Sequence, residues 1–294
     1  MDRRRALAAL LIGLAGIGAS PAAPPLREAN WIAPDRRAVA LHSEPPECLV
    51  LPKLRTDRDL VALGRHLFRN PLLLGGQAAR AGLSCASCHR NGRGNPDFLF
   101  PGLSGAAGTA DITSSLMSRT RGDGTANPVA IPDLVRDTPK VSRDGASPAL
   151  EAFIQGLIVE EFDGPPPEPR ALVALATYVR ALKPEGCKGD APVPITLAGA
   201  AGDIALGLSV VRTEAARGDS AITHLTIGGL RDRLGTIAAR YPAMVRHQKA
   251  LDRLDRGLLA LQKKWDAKGL DRWERHFVAE LDALASDEPR SLYR

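Results

Sequence analysis

Three residues within a span of five carry the clearest chemistry in the sequence. Cys85, Cys88 and His89 stand in the order Cys-x-x-Cys-His, which is the attachment signature for haem c. Two thiols one helical turn apart can each add to a vinyl group of a porphyrin, and the next residue can place its imidazole under the iron. The sequence therefore predicts one covalent haem c, with Cys85 and Cys88 as thioether residues and His89 as the proximal iron ligand.

Two other kinds of site use closely spaced cysteines. A structural zinc site needs four ligands, usually from two separated pairs, whereas Cys48 and Cys187 each stand alone in the sequence. A thioredoxin-like redox pair needs a βαβ setting, and the sequence around Cys85 has no such pattern. Haem attachment is therefore the favoured interpretation of the motif.

The ligand opposite His89 decides what a haem at this site does. A methionine sulfur fills the site and gives an electron carrier, whereas an open position admits peroxide or another small ligand. Met117 follows in the same loop-rich stretch and is the best candidate for the distal ligand, with core packing as its alternative. His66, Met244 and His247 are weaker candidates on helical faces, and an open or water-bound iron is a further alternative.

The N-terminus has the three parts of a secretory signal peptide. A basic stretch, Arg3–Arg5, precedes an apolar run, Ala6–Ile17, and small residues follow. Residues 1–23 are therefore predicted as a signal peptide that is removed on export. An uncleaved anchor is the alternative, but the apolar run is short for a bilayer and Pro21 ends it. The mature protein is expected in the periplasm or otherwise exported, with no membrane span after cleavage.

An oxidising compartment favours disulfides. Cys48 and Cys187 are the two cysteines that a haem would not use, so a disulfide between them is predicted, with two unpaired thiols as the alternative. The bond would tie the proline-rich N-terminal arm, residues 24–55, to the segment after the haem domain. Closing a loop of about 140 residues is worth about 5 kcal/mol on the chain-entropy model.

Composition limits the classes of protein and of partner. The chain has 294 residues, of which 44% are hydrophobic and 24% charged, as is ordinary for globular proteins. Aromatic residues make up only 4%, so the core must be built mainly from aliphatic side chains. The formal net charge of +6 is small and scattered, and nucleic acid is therefore not an expected partner.

Helical periodicity dominates the chain and alternating runs are few, so the fold is predicted to be mainly α. Residues 56–183 mix short helices with long loops and would form the haem domain. One helix is predicted from Thr56, where Asp59 would complete an approximate capping box. Another is predicted to begin near residue 168, with Leu172 to Leu182 along one face, and to end at Pro184. Residues 184–195 have the composition of a linker.

The last part of the chain, residues 196–294, predicts an antiparallel bundle of four helices. One apolar seam has alternating spacings of three and four residues. It consists of Met244, His247, Leu251, Leu254, Leu258, Leu261 and Trp265. A seam this short does not require a coiled coil between chains, and the sequence leaves the oligomeric state open.

Residues 60–183 resemble the bacterial di-haem cytochrome c peroxidase family, which includes the methylamine-utilisation di-haem enzyme. The matching segments are Leu63–Phe68, Leu83–His89, Asn127–Leu134, Val141–Ala146 and Leu172–Leu182. The resemblance implies a cytochrome c-like fold for the haem domain. The helical bundle comes after this domain in the chain.

Two departures from the family bear on activity. The family has two haem motifs, one haem taking up electrons and the other reducing peroxide, whereas this chain has one motif. Ser142 and Arg143 stand where the family has an aromatic residue before Asp-Gly. The resemblance therefore implies the fold and haem binding more than it implies peroxidase activity.

The sequence thus predicts an exported mono-haem c-type cytochrome that exchanges electrons with a redox partner protein. A peroxidase-like enzyme with an open distal site is one alternative, and a haem-based sensor or interaction module with the bundle as its output is another. Arg119, Arg121 and Arg143 could pair with haem propionates, because guanidinium matches carboxylate geometry. Their alternative is the ordinary role of exposed loop arginines.

Overall fold

The computed structural model describes residues 30–293, so the predicted signal peptide lies outside the described range. Within that range the chain forms ten α-helices and only two short strand pairs, and the prediction of a mainly α fold is confirmed. Strand β1 (Ser43–Glu44) pairs antiparallel with β4 (Val193–Pro194), and β2 (Thr109–Ala110) with β3 (Val129–Ala130). Across residues 30–293 no helix has the length and apolar character needed to cross a membrane.

Six helices form the first unit, which contains the Cys-x-x-Cys-His segment. They are α1 (Arg37–Ala40), α2 (Arg55–Phe68), α3 (Gly76–Arg80), α4 (Cys85–Cys88), α5 (Ala149–Gly156) and α6 (Pro169–Ala181). A π turn over Leu157–Glu161 extends α5. Long loops separate α4 from α5, and β2 and β3 are their regular part.

Helices α2 and α6 cross closely inside this unit. Gly64 permits the approach, because a Cβ built on it would lie 2.0 Å from the carbonyl oxygen of Ala174. Leu63, Leu67 and Leu175 are almost completely buried, and each such side chain contributes about 2 kcal/mol of hydrophobic stabilisation. The apolar cluster that contains this pair is also the surface on which Cys85 and Cys88 pack.

The N-terminal arm is fastened to the segment over residues 184–195. A disulfide joins Cys48 to Cys187, whose α carbons are 4.5 Å apart. Beside it, the Lys183 amide donates to the Cys48 carbonyl at 2.8 Å, and strands β1 and β4 pair further along. Residues 184–195 are therefore fixed to the N-terminal arm at several points.

The second unit contains α7 (Leu197–Ala216), α8 (Ser220–Ala239), α9 (Val245–Lys263) and α10 (Ala267–Asp287). Short connections turn each helix back on the one before it, which makes neighbours antiparallel. Of the predicted seam, His247 to Leu261 is buried along α9. Its two ends, Met244 and Trp265, lie outside the helix, and Trp265 is 38% exposed.

Helix α2 also joins the first unit to the second. His66 enters a gap between α7 and α8 that Gly207 and Gly229 leave open. A Cβ on Gly207 would lie 2.9 Å from Cε1 of the imidazole, and a Cβ on Gly229 would lie 2.6 Å from Nε2. The same Nε2 donates to the carbonyl oxygen of Thr226 at 2.9 Å. The contact therefore fixes α8 against α2 with a directed hydrogen bond.

An ion cluster centred on Glu47 reinforces this junction. Its carboxylate accepts from Nε of Arg65 at 2.8 Å, from Nη2 of Arg69 at 3.1 Å and from the Tyr178 hydroxyl at 2.6 Å. Arg65 also pairs with Asp203 on α7 at 2.7 Å. Burial alone would raise the pKa of Glu47, but the adjacent Arg69 and Arg65 outweigh it and lower that pKa. The cluster connects the arm, α2, α6 and α7.

One local prediction needs correction, and one helix was not predicted. Helix α2 begins at Arg55 and has no side-chain cap, so the capping box predicted for Thr56 and Asp59 is wrong. Leu54 supplies the extended residue before the helix, and Arg58 fastens the first turn through a 2.8 Å bond to the Pro52 carbonyl. Helix α5 and its π turn were not predicted, because the sequence there gives no clear cap or long periodic run.

Candidate functional site

The two cysteines of the motif lie on one turn of a short helix. In α4 the Ser84 amide donates to the Ser87 hydroxyl at 3.0 Å, which closes the turn from its N-terminal side. Residues three apart on a helix share a face, so Cys85 and Cys88 present their thiols in the same direction. Both thiols are free and half-buried, and both side chains pack against the apolar cluster of the first unit.

Burial makes these thiols poor nucleophiles in the free protein. It raises the pKa of both Cys85 and Cys88 to about 12. Catalytic dithiols instead have a lowered pKa, produced by a nearby cation or a helix N-terminus. Within residues 30–293 no group of three or more His, Cys, Asp or Glu side chains is placed to hold a metal ion, and Cys48 and Cys187 are already joined. The raised pKa of the two thiols thus differs from that of a catalytic dithiol, and the described residues bring no further ligands of these types to them.

The chain leaves the helix at His89, which directs its imidazole toward a second segment. The backbone there is neither helical nor fully extended, with φ −116° and ψ 74°. Nδ1 of His89 lies 3.0 Å from the carbonyl oxygen of Pro132. A carbonyl oxygen only accepts, so Nδ1 must carry the proton, which makes Nε2 the ring nitrogen with the lone pair. This neutral tautomer is the one that binds a metal through Nε2.

Hydrogen bonds on both sides fix the Pro132 carbonyl. The Ile131 amide donates to the Gly108 carbonyl at 3.0 Å, and the Leu134 amide donates to the Gly92 carbonyl at 3.0 Å. Strand β3 ends one residue before Ile131, so the short strand pair helps to set the position of this loop. The acceptor for His89 is therefore part of a fixed backbone segment.

The surroundings keep the imidazole neutral. Burial lowers the pKa of His89 to about 4, and the positive charge of Arg143 acts in the same direction. Among residues 30–293 no side chain or backbone group forms a hydrogen bond with Nε2. A half-buried neutral imidazole with an unused Nε2, next to two free thiols, has the donor set that a covalent haem requires.

Met117 is buried in the same apolar cluster as the cysteines, with 3% of its surface exposed. Its loop is attached to the turn after α5 on both sides of Phe162. Ser118 donates to the carbonyl oxygen of Glu160, and Arg119 pairs with Asp163 at 2.7 Å. The sulfur therefore belongs to the interior of the first unit.

The other candidate distal ligands are engaged elsewhere. His66 donates to the Thr226 carbonyl, and burial lowers its pKa to about 4. His247 is fully buried in the bundle, with Nδ1 2.6 Å from Glu280 and Nε2 2.8 Å from Asp287. Met244 packs against the bundle core. Of the four candidates, only Met117 lies in the interior of the unit that carries His89.

A buried carboxyl and a backbone carbonyl are two features of this region that the sequence analysis did not identify. Glu161 ends the π turn and is 6% exposed, and its Oε2 has no hydrogen-bond partner in the described chain. Burial raises its pKa. The Pro132 carbonyl has no local sequence signal either, since its role depends on the distant position of His89. Protein-family models, curated proteins and solved structures were compared with the chain, and none of them matches it.

Proposed function

We propose that the protein is an exported mono-haem c-type cytochrome that transfers single electrons to or from a redox partner protein. Cys85 and Cys88 would hold the haem through thioether bonds, and His89 would bind the iron through Nε2. The observation that carries the proposal is the bond from Nδ1 of His89 to the Pro132 carbonyl. It leaves Nε2 as the metal-binding nitrogen beside two unpaired thiols.

The chain's own residues would divide the work around the cofactor. When bound, the haem iron accepts and releases one electron between its ferric and ferrous states. Pro132 orients the imidazole and fixes its tautomer, which also raises the basicity of the ligand. The apolar cluster on which Cys85 and Cys88 pack would limit solvent access to the cofactor. Met117 is the proposed distal ligand, since its sulfur lies in the interior of the same unit.

The sequence resemblance described above supports the same conclusion for residues 60–183. A single motif allows one haem in the chain, which suits a carrier better than the division of labour in the di-haem peroxidases. The candidate signal peptide agrees with this function, because haem c is attached after export. The redox partner is expected in the same compartment.

The test is expression of the full chain together with a haem c maturation system. A denatured sample should keep its haem, and Cys85→Ser with Cys88→Ser should release it, because thioether bonds survive denaturation and axial ligation does not. Absence of covalent haem in the wild-type protein would overturn the proposal. The Cys48→Ser variant controls for loss of a cysteine outside the motif.

The distal ligand is tested by absorption spectra of the ferric and ferrous protein. Ligation by Met117 predicts a sulfur-to-iron charge-transfer band in the ferric form and no change on addition of carbon monoxide. Met117→Ala should remove the band, whereas Met244→Ala in the bundle should retain it. A high-spin ferric spectrum and ready carbon monoxide binding in the wild type would instead favour the peroxidase-like alternative with an open site.

A further inference from the structure

Arg143 is bonded to the same backbone segment as His89, and the carboxylate that acts on its charge, Asp133, forms its ion pair with Arg93 instead. Nη1 of Arg143 donates to the carbonyl oxygen of Leu134, two residues beyond the carbonyl that holds His89. A guanidinium has five N–H donors, so four remain for another partner. No carboxylate within residues 30–293 forms an ion pair with it. Its charge nevertheless acts on the imidazole of His89.

The position of Arg143 is fixed through its backbone. Nε of Arg180 on α6 donates to the Arg143 carbonyl at 3.2 Å, and Nη2 donates to the carbonyls of Asp144 and Ser147 at 3.3 and 3.1 Å. Glu151 on α5 holds Arg180 at 2.6 Å. Because the turn is clamped between α5 and α6, binding through Arg143 costs less conformational entropy than binding through a loose surface arginine.

The other two arginines considered for this role already have partners. Arg119 pairs with Asp163 at 2.7 Å and Arg121 pairs with Glu160 at 2.8 Å. Arg143 is half-buried, and loss of solvent lowers its pKa. A half-buried guanidinium is stabilised by an anion that accepts its hydrogen bonds. A carboxylate fits the planar fork of donors in a guanidinium.

We infer that Arg143 binds a propionate of the haem attached at Cys85 and Cys88. The inference rests on the proposed function and extends it to the residue that neutralises the cofactor's carboxylate. A positive charge at that carboxylate favours the ferrous state, because it offsets negative charge that would otherwise stabilise the ferric iron. Arg143 is therefore a cofactor-binding residue that also raises the reduction potential.

The experiment uses the haem-loaded full chain and two variants matched in charge, Arg143→Gln and Arg256→Gln. Arg143→Gln should lower the midpoint potential, seen as a several-fold rise in the ferric-to-ferrous ratio at a fixed applied potential. Its propionate bending mode in the resonance Raman spectrum should shift to the frequency of a carboxylate without a cation partner. Arg256→Gln should leave both readouts at their wild-type values, because that side chain is exposed on α9 and paired with Asp252.

Several outcomes separate the possible failures. No covalent haem in the wild type would remove the proposed function, and this inference with it. Covalent haem with equal potentials and Raman spectra for the two variants would overturn the inference and leave the proposed function intact. If Arg143→Gln does not fold, the wild-type Raman spectrum decides, since a mode typical of an unpaired propionate contradicts the pairing. Arg143→Lys should restore the potential in part, because it keeps the charge without the fork.

Discussion

The buried contact of His66 makes stability depend on pH in a way that can be calculated. The imidazole lies between α7 and α8, with Nε2 bonded to the Thr226 carbonyl, and burial lowers its pKa from 6.5 to about 4. The unfolded chain therefore binds more protons than the folded chain between these two values. The stabilisation that neutral His66 gives to the folded protein is fully present above pH 6.5 and is lost as the pH falls toward 4. This difference between the pKa of His66 in the unfolded and folded chain corresponds to about 3 kcal/mol in the free energy of unfolding.

The perturbation is His66→Gln, which keeps a neutral donor of similar length and removes the titration. Urea unfolding of wild-type and variant protein is measured from pH 7 to pH 4 and followed by circular dichroism. The stability advantage of the wild type over the variant should shrink by about 3 kcal/mol across this range. Glu47 and the other carboxylates are present in both proteins, so their titration cancels in the difference.

A second histidine variant controls for loss of an imidazole as such. His276 is exposed on α10, and His276→Gln should follow the wild-type stability at each pH. Parallel curves for wild type and His66→Gln would refute the burial of a neutral His66 and with it the described contact between α2 and α8. A curve for the variant that falls more steeply than that of the wild type would do the same.

Three further predictions concern the framework of the fold. Cys48→Ser together with Cys187→Ser should lower the free energy of unfolding by about 2–5 kcal/mol, and the wild type should lose the same amount on reduction, as urea titration with and without reductant would show. Gly64→Ala should destabilise the protein by about 1–3 kcal/mol or more, because the added methyl group overpacks α2 on α6. The control Gly202→Ala, on an open face of α7, should stabilise it by about 0.5–1 kcal/mol. Equal shifts in melting temperature for the two variants would contradict the close crossing. Glu47→Gln should lower the free energy of unfolding by about 3 kcal/mol at neutral pH. Because the pKa of Glu47 is lowered in the folded protein, its carboxylate stabilises the fold above the pKa of the unfolded chain, and this stabilisation is lost as the pH falls below it. The variant should therefore lose less stability in acid than the wild type, and an equal loss would refute the ion cluster.

The bundle was the part of the fold most accessible from sequence. Its helices have apolar residues at regular spacing, and that spacing directly encodes which side is buried, as for Leu251 and Leu258 on α9. The first unit was less predictable because its regular elements are short and its loops long. Its crossing depends on the absence of a side chain at Gly64, and a single glycine in a helical pattern does not reveal which backbone will approach it.

For the candidate site, the sequence predicted which residues take part, whereas their tautomers and partners are known only from the structure. Cys85, Cys88 and His89 follow from spacing alone. The tautomer of His89 does not, because it depends on a carbonyl in another segment, brought near by the loop after β3. The same limit applies to the arginines. Arg119 and Arg143 look alike in sequence, but in the structure Arg119 is exposed and pairs with Asp163, whereas Arg143 is half-buried and bonds to the Leu134 carbonyl.

The junction between the two units bears on the choice between a carrier and a sensor. A sensor needs a bundle that changes position with the state of the cofactor, and a ligand shifts such an equilibrium only by its difference in affinity for the two positions. Moving α7 and α8 away from α2 would leave the imidazole of His66 and the Thr226 carbonyl without each other, at about 1–3 kcal/mol for each unsatisfied buried group. It would also separate Arg65 from Asp203 on α7. An electron carrier has no such requirement, since a frame that does not rearrange favours rapid exchange. The packing around α2 therefore agrees better with the proposed electron carrier than with the sensor alternative.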